Sequence, residues 1–150
     1  MLVSRGSEGN LDEEAEDVNS GHCQIKAFNI TNVTSTPYDF TSDGLRLGWG
    51  LRNSVGVAED PNTGAIYSVE NSVDQIRREG DDIHKDNPGE EMNFHGYLNG
   101  TETREQGNNY GYPNCFAVWD VNSIPRNENL QVGTQFAIGG QENDEMCSYL

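Results

Sequence analysis

One stretch constrains this chain more than any other: Val55-Gly56-Val57-Ala58, then Asp60-Pro61-Asn62-Thr63-Gly64, then Ala65-Ile66-Tyr67-Ser68-Val69. Two β-prone runs flank a segment in which Pro presets one turn dihedral and Gly supplies positive φ, so the stretch predicts a β-hairpin. No segment shows sustained helical periodicity, and the remaining apolar runs are short. Leu2-Val3-Ser4, Cys23–Phe28, Glu90–Phe94, Cys115–Trp119 and Gln135–Ile138 read as further strands. Hydrophobic residues are 33% of the chain, with 17 Gly and 5 Pro. That balance predicts an all-β chain of many short strands with long connections rather than a compact helical domain. Six Tyr, five Phe and two Trp within the ordered-looking segments argue against disorder.

A strand, an Asp-Pro-x-Thr-Gly turn and a returning strand describe the inner hairpin of a β-propeller blade. In that architecture residues just before the innermost strand face the central channel, and Arg52 and Asn53 hold that place. A blade takes about 40–50 residues, so the chain accounts for about two to three blades, as one partial domain with no second domain.

The charge narrows the partners. Twenty-five Asp and Glu against nine Lys and Arg give −16, which repels phosphate backbones and anionic lipid, so neither nucleic acid nor membrane insertion is expected. The acidic run Asp12-Glu13-Glu14-Ala15-Glu16-Asp17 breaks the register of a calcium EF-hand loop and reads as a solvated loop. Cys23, Cys115 and Cys147 have no zinc spacing. Cys115 with Cys147 is the natural disulfide pair, leaving Cys23 free, and three buried thiols are the alternative. Closing that loop contributes about 3–4 kcal/mol in the chain-entropy model. Sequons at Asn29, Asn32 and Asn99 favour the secretory pathway, hence an extracellular glycoprotein. Met1-Leu2-Val3-Ser4 carries no signal peptide, and the expectation is that a preceding segment supplies it.

Gly50-Leu51-Arg52-Asn53, Ser68-Val69-Glu70-Asn71-Ser72, Asn87-Pro88-Gly89-Glu90-Glu91-Met92-Asn93 and Asn109-Tyr110-Gly111-Tyr112-Pro113-Asn114 follow one another in this order. That order resembles the soluble quinoprotein glucose and sorbosone dehydrogenases. With Phe94-His95-Gly96-Tyr97-Leu98-Asn99-Gly100 and Cys115-Phe116-Ala117-Val118-Trp119-Asp120, the chain is most similar to fungal pyranose dehydrogenases dependent on pyrroloquinoline quinone (PQQ). The resemblance implies a six-bladed propeller that oxidises the anomeric carbon of a pyranose by hydride transfer to PQQ. The electrons would then go to an external acceptor such as a haem domain.

By that resemblance Arg52 and Asn53 contact the cofactor. PQQ carries three carboxylates and a quinone, which suits a forked guanidinium and a neutral amide donor. Calcium would be held by the backbone carbonyls of Asn71 and Ser72, with Glu70, Asp74, Glu90 and Glu91 as candidates for an outer shell or a second ion, although each singly reads as a solvated surface carboxylate. The catalytic His is expected upstream of Met1, so this chain has no catalytic residue of its own. His22 and His84 read as solvent-exposed, and His95 as a packed structural residue. Bacterial relatives place an Asp that orients the base close to where Ser7 stands, so the sequence departs from their pattern there. The competing expectations are a non-catalytic propeller piece that binds glycans or proteins, and an inactive truncated product.

Overall fold

The computed structural model describes residues 1–31, 35–138 and 143–150. The sequon at Asn32-Val33-Thr34 lies outside the described residues. Strands β1 (Leu2–Arg5), β2 (Gln24–Ala27) and β3 (Leu45–Trp49) form one antiparallel sheet in that order. Strands β4 (Ser54–Glu59), β5 (Ala65–Glu70) and β8 (Met92–Tyr97) form a second. The short hairpin β6 (Arg77–Arg78) and β7 (Asp81–Asp82) lies between β5 and β8 in the chain. Last come the pair β9 (Cys115–Ala117) and β10 (Gln135–Ala137) and a single helical turn α1 (Asp144–Cys147). Antiparallel sheets and short helical turns bear out the all-β expectation.

The predicted hairpin is β4–β5, paired from Ser54↔Glu70 to Glu59↔Ile66. Its turn closes through Gly64 N–H to the Asp60 carbonyl (2.7 Å), with Gly64 at φ +74°. The Asp60 carboxylate accepts from Asn62 N–H (3.0 Å) and the Thr63 hydroxyl (2.6 Å), so the turn is set by its own side chains. Along β5, Ile66, Ser68 and Glu70 point inward while Tyr67 and Val69 stay exposed. Ile66 meets Ile25, Leu47 and Leu51, joining the first two sheets through one apolar cluster. A second cluster gathers Cys23, Ile76, Ile83, Tyr112, Phe116, Val118, Ile124 and Phe136 beneath the loops.

Several boundaries differ from the sequence expectation. The predicted strand 90–94 is Met92–Tyr97, because the Glu90 side chain turns to the Ser72 N–H (2.7 Å). The strand from Cys115 stops at Ala117, since Trp119 N–H and Asp120 N–H donate to Asn87 Oδ1 (2.7 and 3.1 Å). The acidic run is not simply solvated. Asp12 is buried and caps the 3-10 turn Glu13–Glu16, and Ala15 is in the core, while Glu13, Glu14 and Glu16 face solvent.

Cys115 and Cys147 form the expected disulfide, and Cys23 is free and buried. Burial pushes the Cys23 thiol up to about 12, so it stays protonated. Beside the disulfide lies an ion pair that sequence reading does not reach. Arg78, with no exposed surface, forks onto Asp144 (2.7 and 2.8 Å) and also donates to the carbonyls of Ala137 (3.1 Å) and Arg126 (3.0 Å).

Candidate cofactor-binding site

The chain leaves β3 at Gly50, whose φ is +67°. A Cβ there would run into Asn109 Oδ1 and press on the Gly111 nitrogen (3.1 Å) and the Tyr112 carbonyl (3.2 Å), so glycine is needed for close approach as well as for the turn. Leu51 N–H donates to the Cys23 carbonyl (3.1 Å), and the Gly50 carbonyl accepts from Tyr112 N–H (3.0 Å). With Leu51 fully buried, the turn is fixed from both sides and presents Arg52 and Asn53 half-exposed.

The structure brings the sequence-predicted residues together. Asn53 Nδ2 donates to Asn71 Oδ1 (2.9 Å), and Arg52 Nη1 donates to the same oxygen (3.3 Å). Asn71 N–H donates to the Asn53 carbonyl (3.0 Å), which carries the β4–β5 pairing one step past the strand end. Ser72 follows directly, held through its N–H by Glu90. Two donors with different geometry, one charged and one neutral, therefore converge at the end of the hairpin opposite its turn.

Asn10 is missed by the sequence reading. Its Oδ1 accepts from Arg52 Nη2 (3.2 Å) and Asp74 N–H (2.8 Å), its Nδ2 donates to the Asp74 carbonyl (2.7 Å), and its own carbonyl accepts from Arg52 Nε (3.4 Å) and Tyr112 OH (3.2 Å). One loop asparagine thus ties Arg52 to the segment after β5. No local signal marks it, because every partner is distant in sequence.

The loop that carries Asn10 is braced by His22, which is buried rather than solvent-exposed as expected. Arg5 Nη2 lies 2.6 Å from His22 Nε2, and Asp12 Oδ2 lies 2.8 Å from Nδ1. A guanidinium can only donate, so Nε2 is the acceptor and the ring proton sits on Nδ1, facing Asp12. Burial alone would raise the Asp12 pKa, but the Glu8 N–H and His22 hold it below the ordinary value. His84 is half-exposed and bonds Asp82 (2.6 Å).

His95 is the packed residue expected from the sequence. It is fully buried, with Nε2 2.7 Å from the Ser68 hydroxyl and its ring edge-on to Tyr110 at 4.9 Å. Burial drives its pKa down to about 4, so the folded chain binds fewer protons than the unfolded chain between that value and the ordinary one. The His95 contribution to stability therefore rises with pH across the window from about 4 to about 6.5, while Glu70, whose pKa burial raises to about 8, contributes the opposite slope. The test is therefore the difference between variants: the urea midpoint change from pH 4.5 to pH 7 should be less positive in His95→Gln than in the parent chain, and an identical change in both would show that His95 does not carry it.

Glu70 is buried, with Oε2 unpartnered. Burial first, then the neighbouring Glu91, pushes its pKa up to about 8. Glu91 is itself raised by burial, while Asn93 and Gln135 hydrogen bonds oppose the shift. Among the described residues no three His, Cys, Asp or Glu side chains group to hold a metal ion. Asn71 and Ser72 nonetheless lie beside the Asn53 carbonyl and the Glu90 carboxylate. They suit a hard cation that takes backbone carbonyls and ligand oxygens rather than a cage of carboxylates. The guanidinium and amide beside them suit a planar polycarboxylate.

A family model described as TrAA12-like matches residues 1–149. A pyrroloquinoline quinone-dependent sugar dehydrogenase of Hypocrea jecorina is 55% identical over 139 residues, covering 91% of this chain and 32% of the relative. The calcium structure of the Trichoderma reesei Carbohydrate-Active Enzymes Family AA12 protein superposes with a TM-score of 0.88 at 52% identity, over 97% of this chain and 36% of that one. The holo form of the Pyranose Dehydrogenase PQQ domain from Coprinopsis cinerea gives 0.85 at 34% identity, over 99% and 36%. The chain thus spans about a third of the length of these relatives. Its sheets are a sector, two to three blades, of a six-bladed β-propeller.

Proposed function

This chain belongs to the TrAA12-like family, and from that membership we propose that it supplies the cofactor-binding blade of an oxidoreductase that oxidises pyranose sugars at the anomeric carbon. The observation that carries this reading is the convergence of Arg52 and Asn53 on Asn71 at the end of the β4–β5 hairpin opposite its turn. Bound there, PQQ supplies the hydride acceptor and calcium the Lewis acid that polarises its quinone.

The chain's own residues bind and orient. Arg52 offers forked, charge-assisted donors to a carboxylate or quinone oxygen, and it is held ready by Asn10 and Asn71. Asn53 adds a neutral donor where negative charge develops. The backbone carbonyls of Asn71 and Ser72 are the proposed calcium ligands, with Glu90 fixing the Ser72 peptide. His95 packs the hairpin and does not act as the base, since Ser68 occupies its Nε2. The catalytic His and the remaining cofactor contacts belong to other parts of the propeller. The electrons would pass to an external acceptor such as a haem domain.

Mixing the chain with PQQ and calcium should give a bound-cofactor absorbance without sugar-dependent dye reduction. A folded, monomeric sample showing no bound absorbance would overturn the assignment of the cofactor to these residues.

The same reading places the protein outside the cell as a secreted glycoprotein. The disulfide, which needs an oxidising compartment, and the exposed sequons at Asn29 and Asn99 support it.

A further inference from the structure

We propose that Asn29 carries an N-linked glycan whose first sugar packs on the Tyr38 ring, an inference that rests on the secretory reading above. Asn29 directly follows Phe28 after β2 and is exposed, as is Thr31. Thr31 N–H and Oγ1 both donate to Asn29 Oδ1, at 3.0 and 2.6 Å. That turn engages the amide oxygen and leaves Nδ2 without a hydrogen bond among the described residues.

Tyr38 lies beside the Asn29 backbone. Its hydroxyl donates to the Asn29 carbonyl (2.6 Å), and its ring packs on Phe28 at 5.2 Å, with Phe40 at 6.0 Å on Phe28. Phe28 is buried behind it, yet Tyr38 keeps 45% of its surface exposed. The ring is thus anchored at its hydroxyl and backed by a second aromatic, but bare on the side that faces solvent. A hexose ring presents polarised C–H bonds on one face, which match the negative face of an aromatic ring. A sugar leaving Asn29 Nδ2 is placed to cover that face.

In the modification, the donor is a lipid-diphosphate-linked oligosaccharide. Its anomeric C1–O bond to the diphosphate breaks, a C1–Nδ2 bond to Asn29 forms, and Nδ2 gives up one proton. The lipid diphosphate leaves, and nothing is oxidised or reduced.

The test uses the full chain sent through the secretory pathway of yeast by a heterologous signal. Release of glycans by peptide-N-glycosidase in heavy-oxygen water converts each occupied Asn to labelled Asp, and peptide mapping then reads each sequon. The expected result is label at Asn29, lost in Asn29→Gln and in Thr31→Ala. Label at Asn99 or Asn32 with none at Asn29 overturns this inference and leaves the secretory reading standing. Protein from its natural source that remains inside the cell with every sequon unlabelled overturns the secretory reading itself. For the packing, removing the glycan should lower the melting temperature by about 2–4 °C in the unmutated chain and by less than half as much in Tyr38→Ala. Equal losses in the two would overturn the contact with Tyr38.

Discussion

Replacing Arg78 by alanine should lower the unfolding free energy by about 3–5 kcal/mol, the range for breaking one side of a buried ion pair. The guanidinium has no exposed surface, forks onto Asp144 and satisfies the carbonyls of Ala137 and Arg126. Alanine strands all three acceptors at once and opens a space over Phe136, whose ring lies 5.6 Å from the guanidinium carbon. Among the described residues Asp144 would keep only the Ala137 N–H (2.9 Å), too little for a carboxylate whose side chain is 15% exposed. Urea denaturation followed by tryptophan fluorescence reads the loss as a lower midpoint at constant slope. The double variant Arg78→Met with Asp144→Leu should recover most of it, because no unpaired charge remains. A single variant as stable as the parent chain would show that the pair contributes nothing to holding α1 against β10. The Cys115–Cys147 disulfide tethers α1 covalently, while Arg78 sets how the turn sits.

What was legible in the sequence was local. The β4–β5 hairpin could be read because Asp60, Asn62, Thr63 and Gly64 build its turn from their own side chains and backbone. Arg52, Asn53, Asn71 and Ser72 could be placed because the hairpin carries one pair into it and the other out of it. The register then brings them together without any long-range information. What could not be read depended on distant partners. β3 carries Gly48, whose missing side chain makes room for Tyr110 and His95, packed within about 3 Å of where a Cβ would stand; the glycine looks like a strand breaker until those rings are in view. His22 sits in a polar stretch, and only Asp12 and Arg5 make it a buried brace. Asn10 has no sequence signature, since its partners include Arg52, Asp74 and Tyr112. The Arg78–Asp144 pair spans 66 residues, beyond any local pattern.

Arg52→Ala should weaken PQQ binding by about 10–100-fold, the equivalent of about 1.5–3 kcal/mol for charge-assisted hydrogen bonds to a carboxylate. The fold should be untouched, since Arg52 is half-exposed and its internal hydrogen bonds are long, at 3.2 to 3.4 Å. Titrating the cofactor at fixed calcium, with a melting curve for each variant, separates the two effects. Arg52→Lys keeps the charge but loses the planar fork, so it should recover only part of the affinity. Asn10→Ala should weaken binding by a smaller factor, about 3–10-fold, because it aims the guanidinium without replacing it. That ordering follows from the geometry: Asn10 and Asn71 hold Arg52 from two sides, so losing one leaves the other. If Arg52→Ala and Asn10→Ala both bind PQQ as the parent chain does, the cofactor does not sit on the β4–β5 hairpin. If Asn10→Ala loses more than Arg52→Ala, Asn10 is itself a ligand contact, and the cradle extends into the loop that follows β1.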